Sequence, residues 1–418
     1  MTLPVTLRAL RYRNMQLFFS GQTISLVGTW MQNVAQAWLV YRLTGSSVLL
    51  GLVSFAGQIP VFLAAPVAGI VADRFRRHRV VIATQTTAML LAFALAALTL
   101  TGTVRIWHIF VLAALAGVVN AFDIPARQAL IVDMVSREDL MNAIALNSSM
   151  FNASRVLGPA VAGLLVASIG EGWCFFANGV SYIAVIVGLL FIRVAAHKPV
   201  KQPGTPLEDV IEGFRFVIGN PAIHYLMILL GILSLTGMPI TVLMPIFADR
   251  ILHGGARGLG ILMGASGIGA LAGALLLASR QSVKGLGRWV AISAGAFGVS
   301  LIVFAVSRFF WLSCALLLPV GFAMMVEMGS SNTLIHTMSP DHLRGRVMSV
   351  YSMMFMGMAP IGALLAGVTA GRWGAPATVA GGGVVCMIAA AVFGFRWPGL
   401  RAGARELIAA AHLAGDPR

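Results

Sequence analysis

A chain of 418 residues that is 58% hydrophobic and 10% charged, with a mean hydropathy of +0.89, holds more apolar surface than a water-soluble core can bury; soluble domains run at about 45–50% apolar. Its formal charge of +15 is dispersed over short loops between apolar runs rather than gathered on one soluble face, which excludes nucleic acid as the partner. Cys174, Cys314 and Cys386 lie singly in different apolar runs, so neither a disulfide framework nor a zinc site is readable, and no metal or cofactor is expected.

About 20 helical residues cross the roughly 30 Å hydrocarbon core of a bilayer, and runs of that length recur along the whole chain. They are predicted near 15–41, 47–72, 79–101, 106–130, 140–168, 173–193, 222–248, 257–279, 286–307, 310–335, 347–371 and 375–397. Residues 1–14 are polar and basic and lead into the first run with no small-residue cleavage site. They read as a cytoplasmic start rather than a cleaved leader.

The first run carries Gln22, Ser25, Thr29, Gln32, Asn33 and Gln36, whose spacings of three and four place a polar stripe on one helix face. In lipid such a stripe must meet protein or water, so it is expected to line a cavity; hydrogen bonding between helices is the alternative. After the second run comes a compact charged loop, Gly69-Ile-Val-Ala-Asp73-Arg74-Phe-Arg76-Arg77-His-Arg79. It fixes a hairpin, because a chain cannot turn inside hydrocarbon, and its basic character marks the cytoplasmic side.

On the fourth run, Asn120 and Asp123 extend a similar polar face, with Arg127 one turn beyond. Asp123 is expected either to form a gate ion pair with Arg77 or Arg127, or to couple directly to protons. Arg155 interrupts the fifth run and is expected to pair with a buried acid, the alternative being attraction of an anionic substrate. Charges at such depths are costly, and are usually paired or functional.

One long polar connection, 194–221, divides the runs six and six and contains Pro206-Leu-Glu-Asp-Val-Ile-Glu-Gly-Phe-Arg-Phe216, whose apolar positions recur at helical spacing. A short amphipathic helix at the cytoplasmic surface is predicted there. The tenth run holds Glu327 with no basic residue of its own half nearby in sequence, which makes it, with Asp123, a candidate proton carrier, the alternative being a paired element of a cytoplasmic gate. Met324, Met325, Met328, Met353, Met354, Met356 and Met358 crowd the tenth and eleventh runs; they read as ordinary packing or as an adaptable apolar pocket. Gly264-Ala-Ser-Gly-Ile-Gly-Ala-Leu-Ala-Gly273 is a small-residue seam rather than a phosphate loop, as no Gly-Lys-Ser/Thr follows.

Two patterns span the chain. Of its 29 Lys and Arg, six (Arg42, Arg105, Arg250, Arg257, Arg308 and Arg372) fall in loops of one side and Arg155 lies within a run, which leaves 22 on the other side with both termini. This bias places both termini in the cytoplasm. The halves also repeat: an offset of 204 sets Trp107 on Trp311, Gly117 on Gly321, Asp123 on Glu327 and Leu130-Ile131 on Leu334-Ile335. Internal repeats of six spans mark transporters whose binding site lies between the repeats. The fold class expected is an all-α polytopic membrane protein of twelve helices in two pseudo-symmetric six-helix bundles, 1–193 and 222–398, joined by the linker 194–221 and followed by a cytoplasmic tail, 399–418.

Particular motifs then carry a resemblance. Gly69-x-x-x-Asp73-Arg74-x-x-Arg77 resembles the signature loop of the major facilitator superfamily, with Arg76 where a glycine is usual, and Gly158-Pro159-Ala-Val-Ala-Gly163 resembles its antiporter motif, with Ala162 replacing one glycine. Asn120-Ala-Phe-Asp-Ile-Pro-Ala-Arg-Gln128, Asn142-Ala-Ile-Ala-Leu-Asn-Ser148, Gly213-Phe-Arg-Phe216 and Leu343-Arg-Gly-Arg346 are similar to the branch containing enterobactin exporters and macrolide efflux proteins. The resemblance implies a proton-driven exporter of small amphipathic molecules in a bacterial inner membrane, a monomer whose partners are its substrate, protons and the bilayer. Asp73 would then face the start of the eleventh span, where free N–H groups attract an anion. The alternatives are an inward nutrient or lysolipid permease of the same fold and, from another class, an enzyme or membrane assembly factor. Scattered His108, His224 and His336 supply no catalytic constellation, so no enzyme is expected.

Overall fold

The computed structural model describes residues 5–193, 206–280, 282–283 and 285–414. After a 3-10 turn, Val5–Arg11, the helices are α1 (Arg13–Thr44), α2 (Ser47–Arg74), α3 (Arg77–Leu100), α4 (Ile106–Met134), α5 (Leu140–Ile169), α6 (Glu171–Phe191), α7 (Pro206–Gly219), α8 (Pro221–Ile232), α9 (Ile240–Ile246), α10 (Gly255–Ala278), α11 (Leu286–Val306), α12 (Phe310–Met338), α13 (Asp341–Trp373) and α14 (Ala375–Ala414). No strand occurs among the described residues. Among the described residues, eleven helical segments are long and apolar enough to cross a membrane. The 32-residue α1 supplies the twelfth, its polar stripe holding down its hydropathy. The chain is an all-α polytopic membrane protein.

Local chemistry sets the turns. The α1–α2 hairpin closes because Gly45 takes φ 60°, a left-handed value natural for glycine, and its N–H donates to Tyr41 O at 2.7 Å. Ser46 then caps α2, its Oγ accepting from Leu49 N. Arg76, standing where the signature loop usually has glycine, adopts φ −64°, so this turn requires no glycine.

The seventh predicted run, 222–248, is one apolar segment but not one helix. A π turn over Leu233–Gly237 separates α8 from α9, and a second follows over Phe247–Ile251. Pro239 and Pro245 each withhold a backbone donor here, and widened turns re-route the ladder: Met238 N reaches Leu233 O at 3.1 Å, and Ser234 Oγ donates across to Phe355 O at 2.6 Å. At the other end of the chain, α14 continues past Pro398 to Ala414, so much of the expected tail is helical.

Contacts divide the chain into two compact units, Met1–Lys201 with Ala248–Gly264, and Gln202–Phe247 with Ala265–Arg418. In the first, α1 packs on α5 and α6, α2 on α4, and α3 on α4 and α6. In the second, α11 packs on α12 and α14, and α8 and α13 on α14. The predicted linker helix is α7, which docks on α13 within this unit: Glu212 pairs with Arg346, and Gly213 lies so close that a Cβ would stand 2.7 Å from Arg346 O. Residues 194–205 of the linker lie outside the described residues.

The repeat recurs in the packing. Gly117 brings α4 against α2, where a Cβ would overlap Gly57 O, and its sequence match Gly321 brings α12 against α10, where a Cβ would overlap Ser266 O. Backbones in contact leave no room for a side chain. Gly117→Leu and Gly321→Leu are each expected to destabilise by about 1–3 kcal/mol or more through overpacking, seen as a lower melting temperature of the purified protein. Gly345→Ala, where a Cβ meets nothing within 4 Å, should leave melting unchanged or slightly raised.

Candidate functional site

In the first unit, Asp123 is buried on α4 and saturated. Its Oδ1 accepts from Thr84 Oγ1 at 2.8 Å and Gln85 Nε2 at 2.9 Å, and its Oδ2 from Arg127 Nε at 3.0 Å. Arg77 does not reach it. The guanidinium instead donates to both carboxylate oxygens of Asp133, at 3.0 and 3.2 Å. Helix rise explains the correction: Asp133 is ten residues beyond Asp123, about 15 Å along α4, at the end where α3 begins with Arg77. Thr84 and Gln85 lie about two turns into α3, which is the depth of Asp123. Sequence reading overlooked Asp133, Thr84 and Gln85 because it sought a partner by charge before matching depths. With both side chains mostly buried, Arg77→Asp should lower the melting temperature clearly, and adding Asp133→Arg should recover much of the loss; a coupling of about 0.5–3 kcal/mol is expected from such a cycle.

Of the signature loop, Gly69 and Asp73 lie in the final turns of α2 and Arg74 ends it, exposed. The side chain of Asp73, and so its expected contact, lies outside the described residues. A second cluster escaped notice in the sequence. Buried Asp139 takes Arg8 Nε at 3.1 Å, Arg11 Nη2 at 2.6 Å and Tyr12 Oη at 2.8 Å, while Asn142 Oδ1 accepts from Ala9 N at 2.8 Å. The amino-terminal arm is thereby tied to the start of α5.

The polar stripe of α1 is mostly shielded. Gln22 and Ser25 are buried, Thr29, Gln32 and Gln36 half-buried, and Asn33 exposed. Part of it bonds to α6, where Asn178 Nδ2 donates to Gln32 Oε1 at 2.7 Å and Thr29 meets Tyr182 Oη at 3.3 Å. Gln22 Oε1 is buried without a hydrogen-bond partner. Asn120 is exposed on α4. The antiporter-motif residues serve close packing: a Cβ at Gly158 would overlap Trp30 of α1, and Gly163 approaches Gly260, whose own Cβ would sit 2.7 Å from Pro159 O. Arg155, about one turn before Gly158 and half-buried, has no ion pair or hydrogen bond among the described residues. The expected pairing with an acid is not formed among the described residues.

In the second unit, Glu327 is 2% exposed on α12. Ser331 Oγ, one turn on, donates to its Oε1 at 2.9 Å, and no cation pairs with it among the described residues. Neighbouring Ser330 Oγ is buried and unsatisfied. The seven methionines singled out in the sequence, on α12 and α13, are half-buried or exposed rather than core, whereas Met338 at the end of α12 is fully buried. Two repeat-related acids thus occupy opposite environments, one fully bonded and cation-paired, the other held by a single hydroxyl.

Twelve membrane-length helical segments among the described residues, in two units whose close helix contacts match at Gly117 and Gly321, have the layout of a polytopic transporter. The chain belongs to the transmembrane secretion effector family of the major facilitator superfamily, whose model matches residues 5–417. It is 26% identical over 381 residues to the staphyloferrin A transporter of Staphylococcus aureus (strain NCTC 8325 / PS 47), covering 90% of this chain and 95% of that one. It is 29% identical over 355 residues to the multidrug efflux pump Tap of Mycolicibacterium fortuitum, covering 82% and 86%. It is 26% identical over 352 residues to the enterobactin exporter EntS of Shigella boydii serotype 4 (strain Sb227), covering 84% and 83%.

Proposed function

We propose that this transporter exports small amphipathic molecules, siderophore-like or drug-like, from a bacterial cell by proton antiport and alternating access. It works as a monomer in the inner membrane with both termini cytoplasmic. The observation that carries the reading is the contrast between Asp123 and Glu327. A carboxylate already bonded by three donors holds a bundle together, whereas one in an apolar bundle without a cation is free to exchange a proton as its surroundings alternate. Glu327 is therefore the proton carrier and Asp123 a fixed element of the gate region. Asp73, Arg74 and Arg77 form the cytoplasmic gate, and the exposed and half-buried part of the α1 stripe, with Asn120, faces the substrate path.

Reconstitution into proteoliposomes tests this. An imposed proton gradient should drive a fluorescent amphipathic drug against its concentration gradient, and collapse of the gradient by an ionophore should abolish accumulation. Equal transport with and without the gradient would make the protein a facilitator; accumulation in the opposite sense would make it a permease.

A further inference from the structure

Arg155 sits in the middle of α5, 15 residues from Leu140 and 14 from Ile169, about 21–23 Å from either end of the helix. A guanidinium keeps its charge under any physiological condition, and at such depth a charge is normally balanced by a fixed partner. None is present among the described residues. The buried acids of the same unit are already engaged, Asp123 by Thr84, Gln85 and Arg127, Asp139 by Arg8, Arg11 and Tyr12, and Glu171 by Arg42.

The surroundings have a second character. Phe151 and Asn152, one turn before Arg155, share its helix face. The Phe151 ring meets Trp30 of α1 edge-on, with centroids 5.6 Å apart and planes at 73°. One turn the other way, Gly158 lets α5 approach α1 at the Cβ of Trp30 and the backbone of Val27 and Met31. The fixed seam between α1 and α5 thus holds two aromatic side chains on one flank of an uncompensated, half-buried cation.

We propose that Arg155 binds an oxyanion of the cargo, a carboxylate foremost, with Trp30 and Phe151 packing on the apolar or aromatic part beside it. This rests on the exporter reading and narrows it to anionic substrates. The planar donor fork of arginine matches a carboxylate in two parallel hydrogen bonds, a fit lysine does not reproduce. The bound anion supplies the charge that the protein itself does not provide, so the site is completed only by its ligand.

Equilibrium binding of radiolabelled 1-naphthoate to the purified full-length protein, with uncharged 1-naphthamide of the same shape as competitor, tests the assignment without requiring transport. The intact protein should prefer the acid at least tenfold. Arg155→Gln should reduce that preference to about one, and Arg155→Lys should keep part of it. Melting separates a ligand site from a structural cation: Arg155→Gln should melt at or above the parent temperature without ligand, because no pair is broken, and should lose the stabilisation by 1-naphthoate. No acid preference in the parent, a preference that survives Arg155→Gln, or a large fall in ligand-free melting that Arg155→Lys repairs would each overturn the proposal. Counterflow of 1-naphthoate in proteoliposomes reports on the exporter reading separately: binding with no counterflow would retain the anion site and refute transport.

Discussion

Glu327→Gln is expected to reduce gradient-driven accumulation to equilibrium, leaving inside and outside substrate concentrations equal, while substrate binding and downhill exchange persist. The substitution keeps the shape and the oxygen that accepts from Ser331 Oγ, and removes only the ability to exchange a proton. No cation is stranded by it among the described residues, so melting should be unchanged or slightly raised; removing an unpaired buried ionisable group relieves the desolvation burden of its charged form. Accumulation and melting measured on the same reconstituted samples separate loss of coupling from loss of fold. Export against a gradient at the parental level would place coupling elsewhere, with Asp123 the next residue to test.

Asp123→Asn should behave in the opposite way. The carboxylate accepts from three donors, two on Oδ1 and one on Oδ2. An amide that keeps its oxygen toward Thr84 and Gln85 turns its NH2 against Arg127, donor facing donor, and leaves a mostly buried guanidinium uncompensated. Breaking such a pair from one side is destabilising by about 3–5 kcal/mol. Melting should fall by several degrees, and binding, exchange and accumulation should all decline together. An Asp123→Asn protein with parental melting that fails only in accumulation would reverse the roles assigned to the two acids.

The contrast between these residues shows where sequence reading succeeds. Asp123 and Glu327 were recognisable as a pair because depth along a helix is a count of residues, and Gly117 and Gly321 because the same offset aligned them. The same arithmetic would have matched Arg77 to Asp133, since both lie where α3 begins and α4 ends. Choosing Asp123 instead placed charge complementarity ahead of depth, and about 15 Å of helix separates the two positions. Thr84, Gln85 and Asn178 gave no signal, because a neutral polar residue in an apolar run reads alike whether it meets water, lipid or an acid. The Asp139 cluster was hidden for another reason: its donors come from residues 8, 11 and 12, more than 120 positions away.

From the sequence alone came the membrane class, the twelve spans, the sidedness expected from its bases, the six-plus-six repeat and the superfamily. The first four rest on quantities summed along the chain, namely apolar length against bilayer thickness, basic residues per loop and identities at one offset; the superfamily rests on the motif resemblance at Gly69–Arg77 and Gly158–Gly163. The tertiary structure decided which charges are satisfied. Asp123 is neutralised, Arg77 is paired with Asp133, and Glu327 and Arg155 are left without ionic partners among the described residues. That allocation depends on which helix faces are brought within about 3 Å of one another, and packing rather than periodicity sets those distances. The break at Leu233–Gly237 belongs with them: proline marks where a ladder fails, but the widened Met238 N to Leu233 O bond that bridges the break, and the Ser234 hydroxyl seated on Phe355 O of the neighbouring helix, are set by the packed structure.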